Sequence, residues 1–565
     1  MGVSLCAIKL KPLNKIIYSM EDVVNIFTIL MENLLKNSRF KPSTHFKKFG
    51  ELKTNLDRMN FVFRDMEKCK THPPFKKDKK DDTVAIKNRE RGNIFFKSAN
   101  YREALDCYTI SILTAESNEI LALAYANRSA ALSKLDLLKE CLTDIDRAFQ
   151  HGYPDNLKQK LIARQKYCTT QKVVERIYYE STPKFPESEK NSEIKNARNC
   201  VKILKNEKYG RYVVATRNID IGEVLVVEPP YAAIQEHEIY VHCHECFTLC
   251  YNLIPCGECT KALYCSENCK DKALNTYHKY ECSILLSLDL IQLDFPKRLA
   301  LKMVFIGRNE WNKYNTVADE TDKMYCSDRF KEMRDLETHT DKRNSQNLYS
   351  RTAIACGLFH LIKNHTTLLQ EDIDEDRLKD VILLMILVCG INTVGINELS
   401  PDMMGIYNLN PTATAIYSFF TLFSHSCWPN ISRHFHGSSL VLRANNTIKK
   451  GEQCFVVYGP SYLSYTKEFR QDFLKEHQFF TCTCRACEEN WPVRNLLSTP
   501  KDWRRVQFFT MMKLAAADVD AAKREVRQLF VNAKKAEKNL PPGQDYIVKD
   551  LLSFCYNIFG NKRRV

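Results

Sequence analysis

The chain has 565 residues, 44% of them hydrophobic, and 83 Lys and Arg against 68 Asp and Glu leave a net charge of +15. That length calls for several domains, and that hydrophobic share excludes a globally disordered chain. The basic excess is modest, fits a solvated surface, and carries no nucleic-acid argument alone.

The N-terminus scatters Lys9, Lys11 and Lys15 among short apolar runs and lacks a small-residue cleavage pattern, so no secretory signal is expected. Cys6 stands where a myristoylation signal wants Ser or Thr. Residues 1–63 read as helical, and residues 76–80, after Pro73-Pro74, read as a charged linker whose aspartates weaken any nuclear-import reading.

From 84 to 170 the pattern is helical and repetitive. Gly92, Tyr101, Ala104, Leu105 and Tyr108 are followed by Tyr125, Ser129, Leu138, Cys141 and Ala148, with a third, degenerate helix through Leu157 to Tyr167. Small residues where helices meet and aromatics in the gaps resemble tetratricopeptide repeats, whose period is roughly 34 residues. Arg89 and Asn93, Asn127, and Lys160 and Arg164 resemble the carboxylate clamp such repeats use on acidic chaperone C-terminal tails. Solvated surface charge is the plainer account of the same residues.

Cysteine is the most informative residue type. The chain has 23, and singly placed ones such as Cys107, Cys141 and Cys168 suit small core positions. Four close pairs lie between 243 and 282: Cys243 and Cys246, Cys256 and Cys259, Cys265 and Cys269, His278 and Cys282. Zinc takes four tetrahedral sulfur or nitrogen ligands, so this set implies two ions whose binding would supply the module's folding energy. Cys250 falls outside the pairs. The spacing leaves open how the pairs divide between the ions. Cys482, Cys484 and Cys487 form a further triplet that needs a fourth ligand, and Cys427 is the candidate, for three zinc ions in all. In a reducing compartment, clustered thiols read as ligands rather than disulfides.

The segment between Ser424 and Asn430, Ser-His-Ser-Cys-Trp-Pro-Asn, is followed by Gly451-Glu452 and by Phe455-Val-Val-Tyr458. Tyr209-Gly210-Arg211, Ala215-Thr216 and Ile221-Gly222-Glu223 precede the cysteine module. These pieces, in this order, resemble the SET and MYND domain-containing family of lysine methyltransferases, and the N-terminal repeats resemble its tetratricopeptide-bearing members. The resemblance implies an α+β multidomain fold: a β-rich SET fold interrupted by a two-zinc MYND module, a post-SET zinc site, and helical flanks. Expected boundaries are 1–83 for the N-terminal segment and linker, 84–170 for the repeats, 195–242 for the first SET part and 243–282 for the zinc module. The SET insert and core follow at 283–460, the post-SET region at 461–490 and a C-terminal helical region at 491–565.

The resemblance further implies that Cys243, Cys246, Cys265 and Cys269 hold one ion and Cys256, Cys259, His278 and Cys282 the other. It implies S-adenosylmethionine as methyl donor, surrounded by Gly210, Arg211, Asn392, Ser424, His425 and Tyr458, with Tyr458 catalytic and His425 using its backbone. A protein lysine is the expected substrate, with partner proteins on the repeats and the MYND module. A monomer in nucleus and cytoplasm is expected. Sequence-specific nucleic-acid binding is not, because the cysteine spacing is not that of a DNA-reading finger. The apolar run from Val381 to Ile391 is too short to span a bilayer and reads as a buried helix.

Two positions depart from the family pattern. Ser424 stands where asparagine is usual, which would lose one hydrogen bond. Gln478, in Gln478-Phe479-Phe480-Thr481-Cys482, stands where many members carry a second active-site tyrosine. A catalytically impaired scaffold, acting through its interaction modules, is therefore the alternative to an active enzyme.

Overall fold

The computed structural model describes residues 25–36, 40–171, 180–236, 239–313, 324–402, 404–493, 501–539 and 545–563. The readings made on Cys6, Lys9, Lys11 and Lys15 lie outside these. Helices Ile26–Leu35, Pro42–Gly50 and Asn55–Cys69 open the described chain. They bury Leu30, Phe49, Met59 and Val62 against the long helix Ser345–His365. Tyr349 ties the two layers together by donating to Asp65 Oδ2 at 2.8 Å, and His45 lies 2.9 Å from the same oxygen.

Two helix pairs follow, Asp82–Lys97 with Tyr101–Thr114 and Asn118–Lys134 with Leu138–Gln150, and then Lys158–Thr170. Gly92 sits where the first pair crosses; a Cβ there would come within 2.5 Å of the Tyr108 ring. This is why the position needs glycine: the aromatic fills the gap that a side chain would occupy. Asp81 and Ser117 cap two of these helices.

The β-structure lies in several small sheets. Strands β1 (Val201–Asn206) and β2 (Gly210–Ala215) form a hairpin. Strand β3 (Val224–Glu228) pairs with β11 (Ser439–Ala444), which pairs with β10 (Ile431–His436). Strand β4 (Ala232–Gln235) joins β8 (Tyr407–Ile416) and β7 (Thr393–Pro401), while β5 (Ile254–Pro255) and β6 (Leu263–Tyr264) make a short ribbon. Strands β9 (Ser424–His425) and β12 (Phe455–Val456) run parallel. The apolar run expected to be a buried helix is one: Glu375–Asn392, capped by Asp374. Among the described residues no helix is long and apolar enough to cross a membrane.

The cysteine-rich segment is not a separate bead. Tyr264, Tyr277 and Tyr280, each at most 1% exposed, join it to the core built by Phe295–Ile306 and Ser345–His365. The helix pairs dock on it through a buried cation. Arg128 Nε donates to Asp144 Oδ2 at 2.6 Å, its Nη2 to Asp144 Oδ1 at 3.0 Å, and the same Nη2 to the Leu253 carbonyl at 2.9 Å. The charged linker also lies on this segment: Asp78 accepts from the Thr260 amide, and Lys80 donates to the Leu113 carbonyl. Asp78 and Lys80 are thus partnered, while Lys76, Lys77 and Lys79 are exposed.

Removing one partner of a fully buried ion pair strands the other charge, at a cost of about 3–5 kcal/mol. Asp144→Ala, which strands the fully buried Arg128, should lower unfolding stability by that order, whereas Arg128→Ala leaves Asp144 its contact to Arg147 at 3.1 Å. The double variant Arg128→Met with Asp144→Leu should lose much less, and equal losses by urea denaturation would refute the pairing argument.

Candidate cofactor and zinc sites

The β1–β2 hairpin turns at residues 207–209, where Asn206 Oδ1 accepts from the Tyr209 amide at 2.8 Å. Gly210 follows at φ +63°, a conformation that costs other residues strain, and a Cβ there would meet nothing within 4 Å. The position is therefore an open backbone cradle. Arg211 Nη2 donates to the Asp335 carbonyl at 2.7 Å, and Asn392 Nδ2 donates to the Glu337 carbonyl at 2.8 Å. Two of the expected cofactor residues thus hold one segment, 335–337, that no motif pointed to. His339 follows, its ring 5.3 Å from that of Phe479.

The two late motifs cross side by side. Strand β9 pairs with β12, and Asn430 clamps the crossing by donating to the Gln453 carbonyl and accepting from the Phe455 amide at 2.7 Å. His425 is buried. Its Nδ1 accepts from the Tyr458 amide at 3.0 Å, which leaves Nε2 to carry the proton, 3.3 Å from Cys427 Sγ. The imidazole is therefore spent on the scaffold, and only its backbone faces elsewhere. Tyr458 donates its hydroxyl to the Phe423 carbonyl at 2.7 Å. Burial pushes its phenol well above the ordinary range, so it remains a donor and cannot serve as a base near neutral pH. Ser424 Oγ accepts from Gln453 Nε2 at 2.7 Å.

Gln478 ends the helix Lys467–Gln478 and is half-buried. Neither nearby tyrosine replaces the missing phenol. Tyr462 packs on Trp491, and Tyr465 stacks on Phe469 at 4.6 Å. Phe480 supplies an aromatic wall instead, edge-on to Tyr458 at 6.4 Å.

All twelve expected metal-ligating residues gather into three groups of four. Cys243, Cys246, Cys265 and Cys269 converge, as do Cys256, Cys259, His278 and Cys282, and Cys427 with Cys482, Cys484 and Cys487; within each group the ligand atoms lie within 4.8 Å of one another. Zinc–sulfur bonds of about 2.3 Å in a tetrahedron put sulfurs about 3.8 Å apart. The separations are 3.7 Å for Cys246 to Cys265, 3.9 Å for Cys256 to Cys282, and 3.5 Å for Cys427 to Cys487. His278 Nε2 lies 3.6 Å from Cys259 Sγ. The donor sets therefore fit zinc.

Two supporting residues escaped the sequence reading. Glu281 Oε1 lies 3.0 Å from both His278 Nδ1 and His244 Nε2, which orients the ligand imidazole. Arg470, fully buried, lies 3.5 Å from Cys487 Sγ and offsets the thiolate charge. The signal was a lone arginine and a lone glutamate, each invisible without contacts.

The clamp residues are partly brought together. Asn127 donates to Asn93 Oδ1 at 2.8 Å, but Arg164 donates inward, to the Ala126 carbonyl and to Ser129 Oγ at 2.6 Å. Arg164 Nη1 is therefore engaged within the helix pairs.

A SET domain profile matches residues 210–459. The mouse protein-lysine N-methyltransferase SMYD4 is 24% identical over 539 residues, covering 72% of this chain and 67% of that protein. The human N-lysine methyltransferase SMYD2 is 29% identical over 308 residues, covering 52% of this chain and 62% of that protein. Residues 210–459 are therefore a SET domain, and the chain is similar to SMYD lysine methyltransferases over much of its length. It spans about two thirds of the length of the SMYD4 relatives, 66% for the zebrafish protein. A solved SET domain of LSMT bound to lysine and AdoHcy aligns over 64% of this chain and 85% of that one, at 11% identity and a TM-score of 0.25.

Within this SET-domain protein a buried carboxylate sets the approach to β9. Glu228 is fully buried and accepts from the Phe419 and Phe420 amides, each at 2.9 Å, at the turn Phe420–Leu422. Burial pushes its carboxyl up from 4.5 to about 8, against the pull of those amides. A carboxyl raised by folding contributes stability that is whole below the unfolded value and is lost as pH rises toward the folded one. Glu228→Gln cannot ionise. Between pH 6 and 8 the stability of the wild type should therefore fall relative to that variant by roughly 1 kcal/mol per pH unit. Melting curves that move in parallel across that range would refute it.

Proposed function

We propose that the protein is an S-adenosylmethionine-dependent protein-lysine N-methyltransferase. The observation that carries this reading is the crossing of β9 and β12, which brings the Tyr458 hydroxyl to the Phe423 carbonyl. Gly210, Arg211 and Asn392 open and brace a cradle nearby in the SET fold. When bound, S-adenosylmethionine supplies an electrophilic methyl group on a sulfonium.

The chain's own residues do the rest. The Gly210 backbone leaves room for close approach, and Arg211 and Asn392 hold the 335–337 segment as a wall. A substrate lysine attacks only as the neutral amine. Entry between Phe480 and Tyr458 would desolvate it and lower its affinity for a proton. The Phe423 carbonyl accepts from the amine, and the Tyr458 hydroxyl fixes its direction. Catalysis is then positioning in a dry, preorganised site. Three zinc ions in the thiolate groups would brace this arrangement, the Cys427 site directly, because Cys427 follows β9 by two residues. Free thiolates for zinc suit the reducing nucleus and cytoplasm.

A second reading rests on Gln478. With no phenol there, and neither Tyr462 nor Tyr465 in its place, a protein that keeps the fold and docks partners without turnover is the alternative.

Calorimetry on zinc-replete protein decides between them. Saturable S-adenosylmethionine binding, with labelled methyl transfer to lysine in extract proteins, is expected. Tyr458→Phe should keep binding and lose turnover by on the order of 10²-fold, and Gln478→Tyr should raise turnover. Absence of binding at full zinc content would support the scaffold. Native mass spectrometry should find three zinc ions per chain, and Cys484→Ser should remove one.

A further inference from the structure

The sheet β10–β11–β3 has two faces with different tasks. Alternation along β10 and β11 puts Arg433 and Leu442 on one face, and His434 and Arg443 on the other. Arg433 donates to the Val457 carbonyl, so its face is the one toward Tyr458. The opposite face is covered by the C-terminal helices Val519–Asn539 and Tyr546–Phe559. Between them lies a cavity of about 370 Å³. It falls in the size range of small-molecule clefts, roughly 300–1,000 Å³.

The cavity's chemistry is uneven. Arg443, Lys523 and Arg527 face it with one carboxylate, Glu180. Lys523 pairs with Glu180 at 3.1 Å, so the excess of two positive charges is carried by Arg443 and Arg527. Phe530, Tyr556 and Phe559 supply aromatic walls. The Arg443 guanidinium lies 4.9 Å above the Tyr556 ring, and His434 stacks on the same ring at 5.3 Å. Some of the polar atoms on and behind its wall are not satisfied. Among the described residues, Tyr556 Oη and Arg443 Nε on the cavity wall, and both ring nitrogens of His434 behind Tyr556, are buried with no hydrogen-bond partner, while Arg443 Nη1 donates to the Gly222 carbonyl at 3.0 Å. Buried polar groups are normally paired, so unpaired ones beside a cationic cavity point to a missing partner.

We propose that this cavity is a second ligand site that takes a phosphate monoester carrying an aromatic body. A monoester bears about two negative charges at neutral pH and three acceptor oxygens, which match the charge excess and the arginines. The aromatic walls receive the ring. The site is separated by the sheet from the methyl-donor cradle, and no step at Tyr458 passes through it.

The test uses the full, zinc-replete chain and phenyl phosphate as the probe. Calorimetry should show saturable binding, weakened at least tenfold by Arg527→Glu and by Lys523→Glu. Both side chains reach solvent, so the variants should keep the wild-type melting temperature and zinc content. Inorganic phosphate should bind at least tenfold more weakly for want of the ring, and benzoate for want of the second charge. Absence of saturable binding, or binding that both variants leave unchanged, would overturn the site. Inorganic phosphate as tight as phenyl phosphate would overturn the aromatic half of the proposal, and benzoate as tight would overturn the phosphate half.

Discussion

Two residues of parallel pairing between β9 and β12 hold the functional centre together. A parallel pair cannot be closed by a tight turn, so the chain between them must leave and return. It does so through β10 and β11, and Asn430 locks the crossing from its own side chain. The consequences run outward from there. His425 receives the Tyr458 amide, Tyr458 reaches the Phe423 carbonyl, and Cys427 is delivered to three cysteines more than fifty residues downstream. A local change at the crossing therefore moves a phenol, a carbonyl and a metal ligand together.

The rest of the molecule supports that crossing from two sides. Glu228 takes the amides of the turn that enters β9, and the cost of burying a carboxylate is set against two short hydrogen bonds. On the far side, Arg470 spans the Tyr465 carbonyl and Cys487 Sγ, tying the post-SET helix to its thiolate group. The N-terminal helices do not hang free. Arg128 and Asp144 bury a complete ion pair and spend the remaining donor on Leu253, so the helix pairs and the cysteine-rich segment meet as one surface.

Much of this was legible in the residues. Seven thiols and an imidazole at fixed spacing declared two metal sets, and the structure groups them in the interleaved pairs that family resemblance implied. Gly92 and Tyr108 announced a helix crossing, because a small residue facing an aromatic is a packing solution visible in one dimension. Other features were not legible. Asp335 and Glu337 enter through their carbonyls, which every residue has. Gln453, a residue with no motif, proved to be the donor to Ser424 Oγ. Arg164, one of the residues that resembled a clamp, also bonds inward through its Nη1.

By itself, then, the sequence determined the chemistry on offer: which side chains ligate, which turn needs glycine, which tyrosine is present and which is absent at Gln478. These depend on residue type and short spacing, and short spacing survives without a fold. Only the tertiary structure decided partnership. It chose the fourth ligand for the Cys482 triplet, turned His425 inward, engaged Arg164 Nη1, and gathered three cations and three rings across the sheet from Tyr458. The reason is physical: charge pairing, desolvation and convergent ligation act through distances of a few ångströms, and those distances join residues that the chain order keeps far apart.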